Sequence, residues 1–138
     1  MMERTSLGTV LLVDDDAFDQ RLYRRVMERS GLVRLVVSFQ MADAALVWLR
    51  AEGPGTVDVI FLDINMPRMN GFEFLSAAGE LFGAASLPPV VMMLTTSLDP
   101  RDRAQAMTFE AVKAYISKPL TVGHLGEALS LVNARVAA

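Results

Sequence analysis

The 138-residue sequence contains no cysteine and only one histidine. The absence of cysteine excludes disulfide bonds and thiolate metal sites. No apolar run approaches the length of about 20 residues that a membrane-spanning helix requires, and the N-terminus lacks the apolar segment of a secretory signal. Lys and Arg number 13 against 16 Asp and Glu, so no basic excess indicates a nucleic-acid partner. We therefore expect a cytoplasmic protein that binds neither nucleic acid nor membrane.

The sequence is rich in apolar residues, which make up 52% of the chain and cluster in five short runs. These runs are continuously apolar rather than alternating, which is typical of parallel strands that are buried on both faces. The runs cover residues 9–13, 33–39, 57–62, 90–94 and 114–116.

Segments of helical periodicity separate the runs. Phe18, Leu22 and Val26 recur at positions i, i+4 and i+8, which predicts a helix with these side chains on its apolar face. Asp99, which precedes a proline, and Thr121 are typical first residues of two later helices.

Residues 42–50 and 72–81 have the same helical spacing. Strands that alternate with helices in this way predict an α/β fold, a (βα)5 doubly wound sheet of five parallel strands. We expect a single domain over residues 1–138, with a core from about residue 8 to about residue 135 and no output domain.

Polar side chains follow four of the five runs. Because ligands of open parallel sheets bind beyond the carboxyl ends of the strands, we expect these side chains to meet at one edge. They are Asp14, Asp15 and Asp16 after the first run, Asp63 after the third, Thr95 after the fourth and Lys118 after the fifth.

These residue types together point to phosphoryl chemistry. Crowded carboxylates repel one another, and a bound Mg²⁺ ion would allow them to stay ionised together. Asp63 could then attack phosphorus, Lys118 could neutralise phosphoryl charge and Thr95 could donate a hydrogen bond to a phosphoryl oxygen. Taken singly, each signal has a plainer explanation, and Asp16 in particular is expected to be only a helix N-cap.

Four blocks of the sequence resemble the receiver domains of bacterial response regulators, namely LLVDDD, LDINMPRMNG, MMLTTS and YISKPL. The second block, an Asp that closes an apolar strand before an M-P-x-M-x-G turn, is highly specific for that family. The resemblance covers essentially the whole chain and implies the flavodoxin-like receiver fold. It also implies a stand-alone module, similar to chemotaxis regulators and to short regulators paired with hybrid or phytochrome-type kinases.

The resemblance assigns a role to each residue of the expected site. Asp63 would be the phosphoacceptor and a metal ligand, and Lys118 would contact the phosphoryl group. Asp15 and the backbone carbonyl of Asn65 would also bind Mg²⁺ directly, whereas Asp14 would act through water.

Two further residues are expected to transmit the signal. By resemblance, Thr95 would be the switch hydroxyl, and Tyr115 would be the aromatic residue that turns with it. Pro119 would follow Lys118 through a cis peptide bond, and Thr96 fills a position where the family prefers a small residue.

The implied function is to accept a phosphoryl group from the phosphohistidine of a sensor histidine kinase and to change a protein-binding surface. Such a domain is a signalling protein rather than an enzyme, although it catalyses its own phosphorylation and dephosphorylation. The kinase could be of hybrid or photoreceptor type. Further partners could be a histidine phosphotransfer protein, or a second copy bound through the fourth helix, fifth strand and fifth helix.

Two other readings compete with this one. A phosphatase of the haloacid-dehalogenase type would use Asp14 as nucleophile and Asp16 as general acid, but Phe18 stands where that family has Thr. It would also leave LDINMPRMNG unexplained. An interaction module with the same fold and no phosphorylation is the third reading, and the presence of Asp14, Asp15 and Lys118 argues against it.

Overall fold

The computed structural model describes residues 3–137, and the side chains of residues 3–135. Five strands in this part of the chain pair in parallel, in the order β2-β1-β3-β4-β5. The strands are β1 (Leu7–Val13), β2 (Val33–Phe39), β3 (Val59–Leu62), β4 (Val90–Thr95) and β5 (Val112–Ser117). The helices are α1 (Ala17–Ser30), α2 (Ala42–Glu52), α3 (Gly71–Ala84), α4 (Pro100–Ala106) and α5 (Val122–Ala137). The predicted (βα)5 doubly wound sheet is confirmed.

Two apolar clusters cover the two faces of the sheet. On one face α1 and α5 pack through residues such as Tyr23 and Leu125. On the other face α2 and α3 pack through residues such as Leu46 and Phe74. Successive residues of β1 alternate between the two clusters, which explains why the central strands are continuously apolar in sequence.

The two outer strands depart from this pattern because each has one unpaired side. On β2, at one edge of the sheet, Arg34 and Leu35 are exposed, although most of the run is apolar. On β5, at the other edge, buried and more exposed residues alternate from Val112 to Ser117, so the strand extends beyond the three apolar residues that predicted it.

The apolar face predicted for α1 is confirmed only at Val26, which is partly buried and packs against the apolar cluster on this face of the sheet. Phe18 and Leu22 are 65% and 40% exposed, whereas Gln20, Tyr23 and Met27 are buried. Gln20 can be buried because its side-chain amide donates two hydrogen bonds of 2.8 Å, to the main-chain oxygens of residues 14 and 39. These bonds anchor α1 to the ends of β1 and β2.

The predicted helix starts are confirmed. The side chain of Asp16 accepts a hydrogen bond from the amide of Asp19 at 3.0 Å, and α4 begins directly after the N-cap residue Asp99. Thr121 precedes α5, and its amide donates to Nδ1 of His124 at 3.0 Å. Among the described helices, none has the length and apolarity needed to cross a bilayer.

Candidate functional site

Main-chain hydrogen bonds determine where the polar residues leave the sheet. The amide of Asp63 donates to the oxygen of Val13 at 3.0 Å, so the residue after β3 lies against the end of β1. The amide of Lys118 donates to the oxygen of Thr95 at 3.0 Å, which fixes the residue after β5 against the end of β4. The ends of four strands thus meet at one edge, as the sequence predicts.

Three carboxylates lie together at this edge. Asp14, Asp15 and Asp63 each offer an oxygen, and these oxygens lie within 4.8 Å of one another. Asp14 and Asp63 are 1% and 8% exposed, whereas Asp15 is exposed. The cluster is therefore buried on one side and open to solvent on the side of Asp15.

Both oxygens of the Asp63 carboxylate have partners. Oδ1 accepts a hydrogen bond from the amide of Ile64 at 2.8 Å, and Oδ2 lies 3.2 Å from Nζ of Lys118. The loop beyond Asp63 closes through a bond of 2.8 Å from the amide of Gly71 to the oxygen of Ile64. Asn70 and Glu73 then form a capping box at the start of α3. The carboxylate is therefore held in one orientation.

Lys118 reaches three carboxylates with one ammonium group. Its Nζ lies 2.7 Å from Asp14, 2.9 Å from Asp19 and 3.2 Å from Asp63. Its side chain is only 10% exposed, and burial alone would lower the pKa of Lys118. The hydrogen bonds to the carboxylates outweigh burial and raise that pKa well above its ordinary value, so Lys118 carries its charge. The expected cis peptide bond to Pro119 is present.

Negative charge exceeds positive charge in this cluster. Burial raises the pKa of Asp14, and the contact with Lys118 offsets only part of that effect. Oδ2 of Asp14 is fully buried and, apart from the ammonium group, has no hydrogen-bond partner among the described residues. Buried carboxylates in this arrangement are the setting in which a hard divalent cation is stabilising.

The two residues predicted to act as a switch lie on neighbouring strands. Thr95 is 1% exposed at the end of β4, and its Oγ1 accepts a hydrogen bond from the amide of Ser97 at 3.1 Å. Tyr115 on β5 has a buried hydroxyl with no hydrogen-bond partner in the described part of the chain. The guanidinium carbon of Arg103, on α4, lies 5.7 Å from the centre of the Tyr115 ring.

The remaining predicted residues lie around the rim. Asn65 is exposed, two residues beyond Asp63, and Thr96 is exposed beyond β4. Asp16 is exposed and serves as the N-cap of α1. Its carboxylate accepts the capping hydrogen bond of α1 and is not one of the three carboxylates that lie together, which argues against its use as the general acid of a haloacid-dehalogenase-type phosphatase.

Asp19 is a site residue that the sequence reasoning missed. It lies in the first turn of α1, and its Oδ2 accepts a hydrogen bond from Lys118 across 99 positions of sequence. No motif marks it. The available signal was its place one turn after the acidic block, which puts it beside the end of β1 once the helix start at Asp16 is known.

Comparison with known proteins agrees with this geometry. A family model described as "Response regulator receiver domain" matches residues 10–130. The probable methanogenesis regulatory protein FilR2 of Methanothrix harundinacea is 32% identical over 115 residues, which cover 81% of this chain and 72% of that protein. Hybrid signal transduction histidine kinase L of Dictyostelium discoideum is 31% identical over 122 residues, which cover 88% of this chain but only 7% of the kinase.

Solved structures give the same result. The crystal structure of a two component response regulator from Cytophaga hutchinsonii matches with a TM-score of 0.84 and 32% identity, covering 92% of this chain and 97% of the other. Receiver domains are signalling modules that pair with histidine kinases and bind Mg²⁺ in an acidic pocket. With its five-stranded sheet, its acidic cluster beyond the strand ends and the family match over most of its length, the chain belongs to the response regulator receiver domains of two-component systems.

Proposed function

We propose that this domain accepts a phosphoryl group on Asp63 from the phosphohistidine of a sensor histidine kinase, with Mg²⁺, and that the modification changes a protein-binding surface. One observation carries the proposal. The nearly buried Asp63 carboxylate lies 3.2 Å from the ammonium group of Lys118, and two more carboxylates stand within 4.8 Å. An acid beside a fixed cation and a cation-attracting cluster is what phosphoryl transfer to a carboxylate requires.

The donor set fits Mg²⁺. Asp15 and Asp63 would hold the ion together with the backbone carbonyl of Asn65, and Asp14 would act through water. The exposure of Asp15 leaves room for water molecules and for a phosphoryl oxygen, which Mg²⁺ prefers to a cage made of protein alone. When bound, the ion supplies positive charge to the carboxylates and to the transferring group.

The transfer itself uses the chain's own residues. A carboxylate oxygen of Asp63 attacks phosphorus, and the new P–O bond forms as the P–N bond to the donor imidazole breaks. The imidazole nitrogen keeps the electron pair and takes up a proton from solvent. Lys118, whose Nζ lies 3.2 Å from Asp63, would neutralise the phosphoryl oxygens, and the hydrogen bond from the amide of Ile64 would keep the carboxylate oriented. Attack by water on the same phosphorus would later release phosphate, so the domain would catalyse both reactions.

The switch would begin at Thr95. Phosphorylation adds about 1.5 to 2 negative charges, and the hydroxyl of Thr95 would turn to donate a hydrogen bond to a phosphoryl oxygen. Its present bond from the amide of Ser97 would then be lost. Tyr115 would repack in response, and because Arg103 lies over its ring the change would reach α4.

Exposed apolar side chains near the site support a protein as the phosphodonor. Phe18, Leu98 and Val122 are 65%, 90% and 53% exposed, and they follow the ends of β1, β4 and β5 respectively. All three stand at the edge that carries Asp63. Large apolar side chains exposed around a polar centre are typical of an interaction surface.

Several finer statements stay predictions. They are the hybrid or photoreceptor type of the kinase, the relay to a histidine phosphotransfer protein, the homodimer through α4, β5 and α5, and the cytoplasmic location. Each concerns a partner or a compartment, and the phosphoacceptor site can be tested without them.

The test is labelling with acetyl phosphate, followed by peptide mapping of the acid-labile phosphoryl group. We expect Mg²⁺-dependent labelling of Asp63, none in Asp63→Asn and little in Lys118→Ala. Asp16→Asn is the matched control, because asparagine keeps the N-cap while one acidic charge is removed. Labelling of Asp63→Asn to the same extent as the unmodified protein would refute the proposal. Label on Asp14 would favour the alternative of a haloacid-dehalogenase-type phosphatase.

A further inference from the structure

We propose that Asp19 is a positioning residue for Lys118, which keeps the ammonium group in place while the other two carboxylates change partners. This inference rests on the proposed phosphorylation of Asp63. It concerns a residue outside the acidic cluster, on α1, whose side chain has Lys118 as its only hydrogen-bond and ion-pair partner among the described residues.

The ammonium group has three N–H bonds, and three carboxylates surround it. Two of these, Asp14 and Asp63, belong to the cluster in which a metal ion would bind. When they direct their charge toward a divalent cation and a phosphoryl group, their hold on Lys118 weakens. Asp19 lies outside that cluster, so its contact of 2.9 Å is the one that can persist through the reaction.

Asp19 is itself held rigidly. Its amide donates to the N-capping carboxylate of Asp16 at 3.0 Å. The next residue, Gln20, donates two hydrogen bonds to main-chain oxygens at the ends of β1 and β2. Asp19 therefore stands at a fixed position relative to the strand ends that carry Asp14 and Asp63.

A lysine needs such support because its ammonium group sits on a flexible chain of four carbons. Charge neutralisation in phosphoryl transfer depends on where the charge is held, and misplacement of a catalytic group reduces the rate steeply. With Asp19, Nζ of Lys118 stays beside Asp63 when the site is loaded. Without Asp19, the ammonium group would be left to Asp14 and Asp63, the acids that the metal ion requires.

The competing explanation is a structural ion pair that merely links α1 to the loop after β5. A double-mutant cycle separates the two. We would measure the rate of Asp63 labelling at saturating Mg²⁺ and acetyl phosphate in Asp19→Asn, Asp19→Glu and the control Asp16→Asn, each alone and combined with Lys118→Ala.

We expect Asp19→Asn to slow labelling by about tenfold or more, the usual size of an effect on a group that orients a reacting one. Asp19→Glu should recover part of the rate because it restores the charge, and Asp16→Asn should label like the unmodified protein. In the Lys118→Ala background, Asp19→Asn should have no further effect, since a residue that acts through Lys118 has nothing left to act on.

A second readout needs neither metal nor phosphodonor. In the metal-free protein, the ¹H–¹⁵N signal of the Lys118 ammonium group should be visible because its hydrogen bonds slow exchange with water. We expect this signal to shift or broaden in Asp19→Asn and to stay unchanged in Asp16→Asn.

Three results would overturn the inference. The first is an equal labelling rate in Asp19→Asn and Asp16→Asn. The second is that Asp19→Asn slows labelling as much in the Lys118→Ala background as it does in the otherwise unmodified protein. The third is an ammonium signal that Asp19→Asn leaves unchanged. Circular dichroism verifies folding, and Asp19→Ser takes the place of Asp19→Asn in every comparison if the amide variant unfolds. If the unmodified protein is not labelled on Asp63, the proposed function fails instead, and the ammonium spectrum still tests the contact between Asp19 and Lys118.

Discussion

Gly71, the first residue of α3, packs directly against the main chain of Asp63. A Cβ atom at position 71 would come closer than 3.0 Å to the carbonyl oxygen of Asp63 and would stand 3.1 Å from Cα of Ile64. Real Cβ atoms essentially never approach a backbone oxygen so closely. Glycine at this position therefore allows the loop that carries the phosphoacceptor to fold back onto the end of β3.

Gly71→Ala should accordingly damage both the fold and the site. We expect a loss of about 2 kcal/mol in the free energy of unfolding, because the backbone of Asp63 must move to accommodate the methyl group. Labelling of Asp63 by acetyl phosphate should fall with it. Gly79→Ala is the matched control in the same helix, since its added Cβ would meet nothing within 4 Å except its chain neighbours and the backbone of its own helix. Urea unfolding should show that this control is stabilised by up to about 1 kcal/mol.

Asp14→Asn should stabilise the metal-free protein near neutral pH. Burial raises the pKa of Asp14 above its ordinary value of 3.8, so the folded protein binds this proton more tightly than the unfolded chain does. The associated stability is fully present below pH 3.8 and is lost as the pH rises through the raised pKa. The side chain of Asp14→Asn does not ionise, so the variant avoids that loss. We expect its free energy of unfolding near neutral pH to exceed that of the unmodified protein by about 1 kcal/mol.

The pH dependence distinguishes this cause from a general effect of the substitution. Urea unfolding in EDTA should show the advantage of Asp14→Asn near neutral pH and its disappearance toward pH 3.8. Added Mg²⁺ should stabilise the unmodified protein more than the variant, because a ligand of the folded state raises the free energy of unfolding. An advantage that is constant with pH would contradict the assignment to Asp14.

Arg68 has a positive φ of 71°, in the loop between Asp63 and α3. Its guanidinium group forms a largely exposed ion pair of 2.7 Å with Asp43. Gly, Asn and Val at position 68 all remove this ion pair, so differences among the three variants report the backbone alone. We expect Arg68→Gly and Arg68→Asn to be as stable as the unmodified protein or more so, and Arg68→Val to lose about 1–2 kcal/mol. Equal stability of the three variants in urea would show that position 68 is not strained.

Asp58, at the end of the sheet opposite to the site, is the centre of a network that joins distant parts of the chain. It accepts hydrogen bonds from Arg4, from the amide of Gly8 at 2.7 Å and from Arg135 at 2.8 Å. Burial alone would raise the pKa of Asp58, but these donors outweigh burial and lower that pKa below 3.8. The N-terminal segment and α5 are thereby tied to the start of β3.

Asp58→Asn should destabilise the protein by about 2 kcal/mol near neutral pH, because two arginines lose their countercharge. The contribution of Asp58 is fully present above pH 3.8 and is lost as the pH falls through its lowered pKa. The difference in the free energy of unfolding between the unmodified protein and Asp58→Asn, measured in urea, should therefore become smaller below that pH. Asp99→Asn is the control, since the partner of Asp99, Arg101, is exposed, and we expect no measurable change. A gap that persists in strong acid would show that the network does not act through charge.

The fold and the core of the site could be predicted from sequence because both follow from short segments. Apolar runs predict the strands, and parallel strands bring the residues after them to one edge. This reasoning places Asp14, Asp63 and Lys118 together without knowledge of any distance. Main-chain bonds such as that from Asp63 to Val13 then fix the details.

What could not be predicted depends on contacts between distant segments. Hydrophobic periodicity predicted that Phe18 and Leu22 are buried, but Gln20 is buried instead because it bonds to a main-chain oxygen on another element. Asp19 was missed for the same reason, because its partner Lys118 follows β5 and is 99 positions away in sequence. Local patterns of hydrophobicity contain no information about such partners.

The orientation of α1 about its own axis also bears on which proteins this domain could bind. The helix turns Phe18 and Leu22 outward, while its opposite side carries Gln20, which is bonded to the main chain of Asp14. A protein that binds the outer side of α1 would therefore contact a helix that is hydrogen-bonded to the main chain of Asp14. If the proposed donor protein contacts this side of α1, exchange of Phe18 or Leu22 would change which donor is accepted without altering the acids of the site.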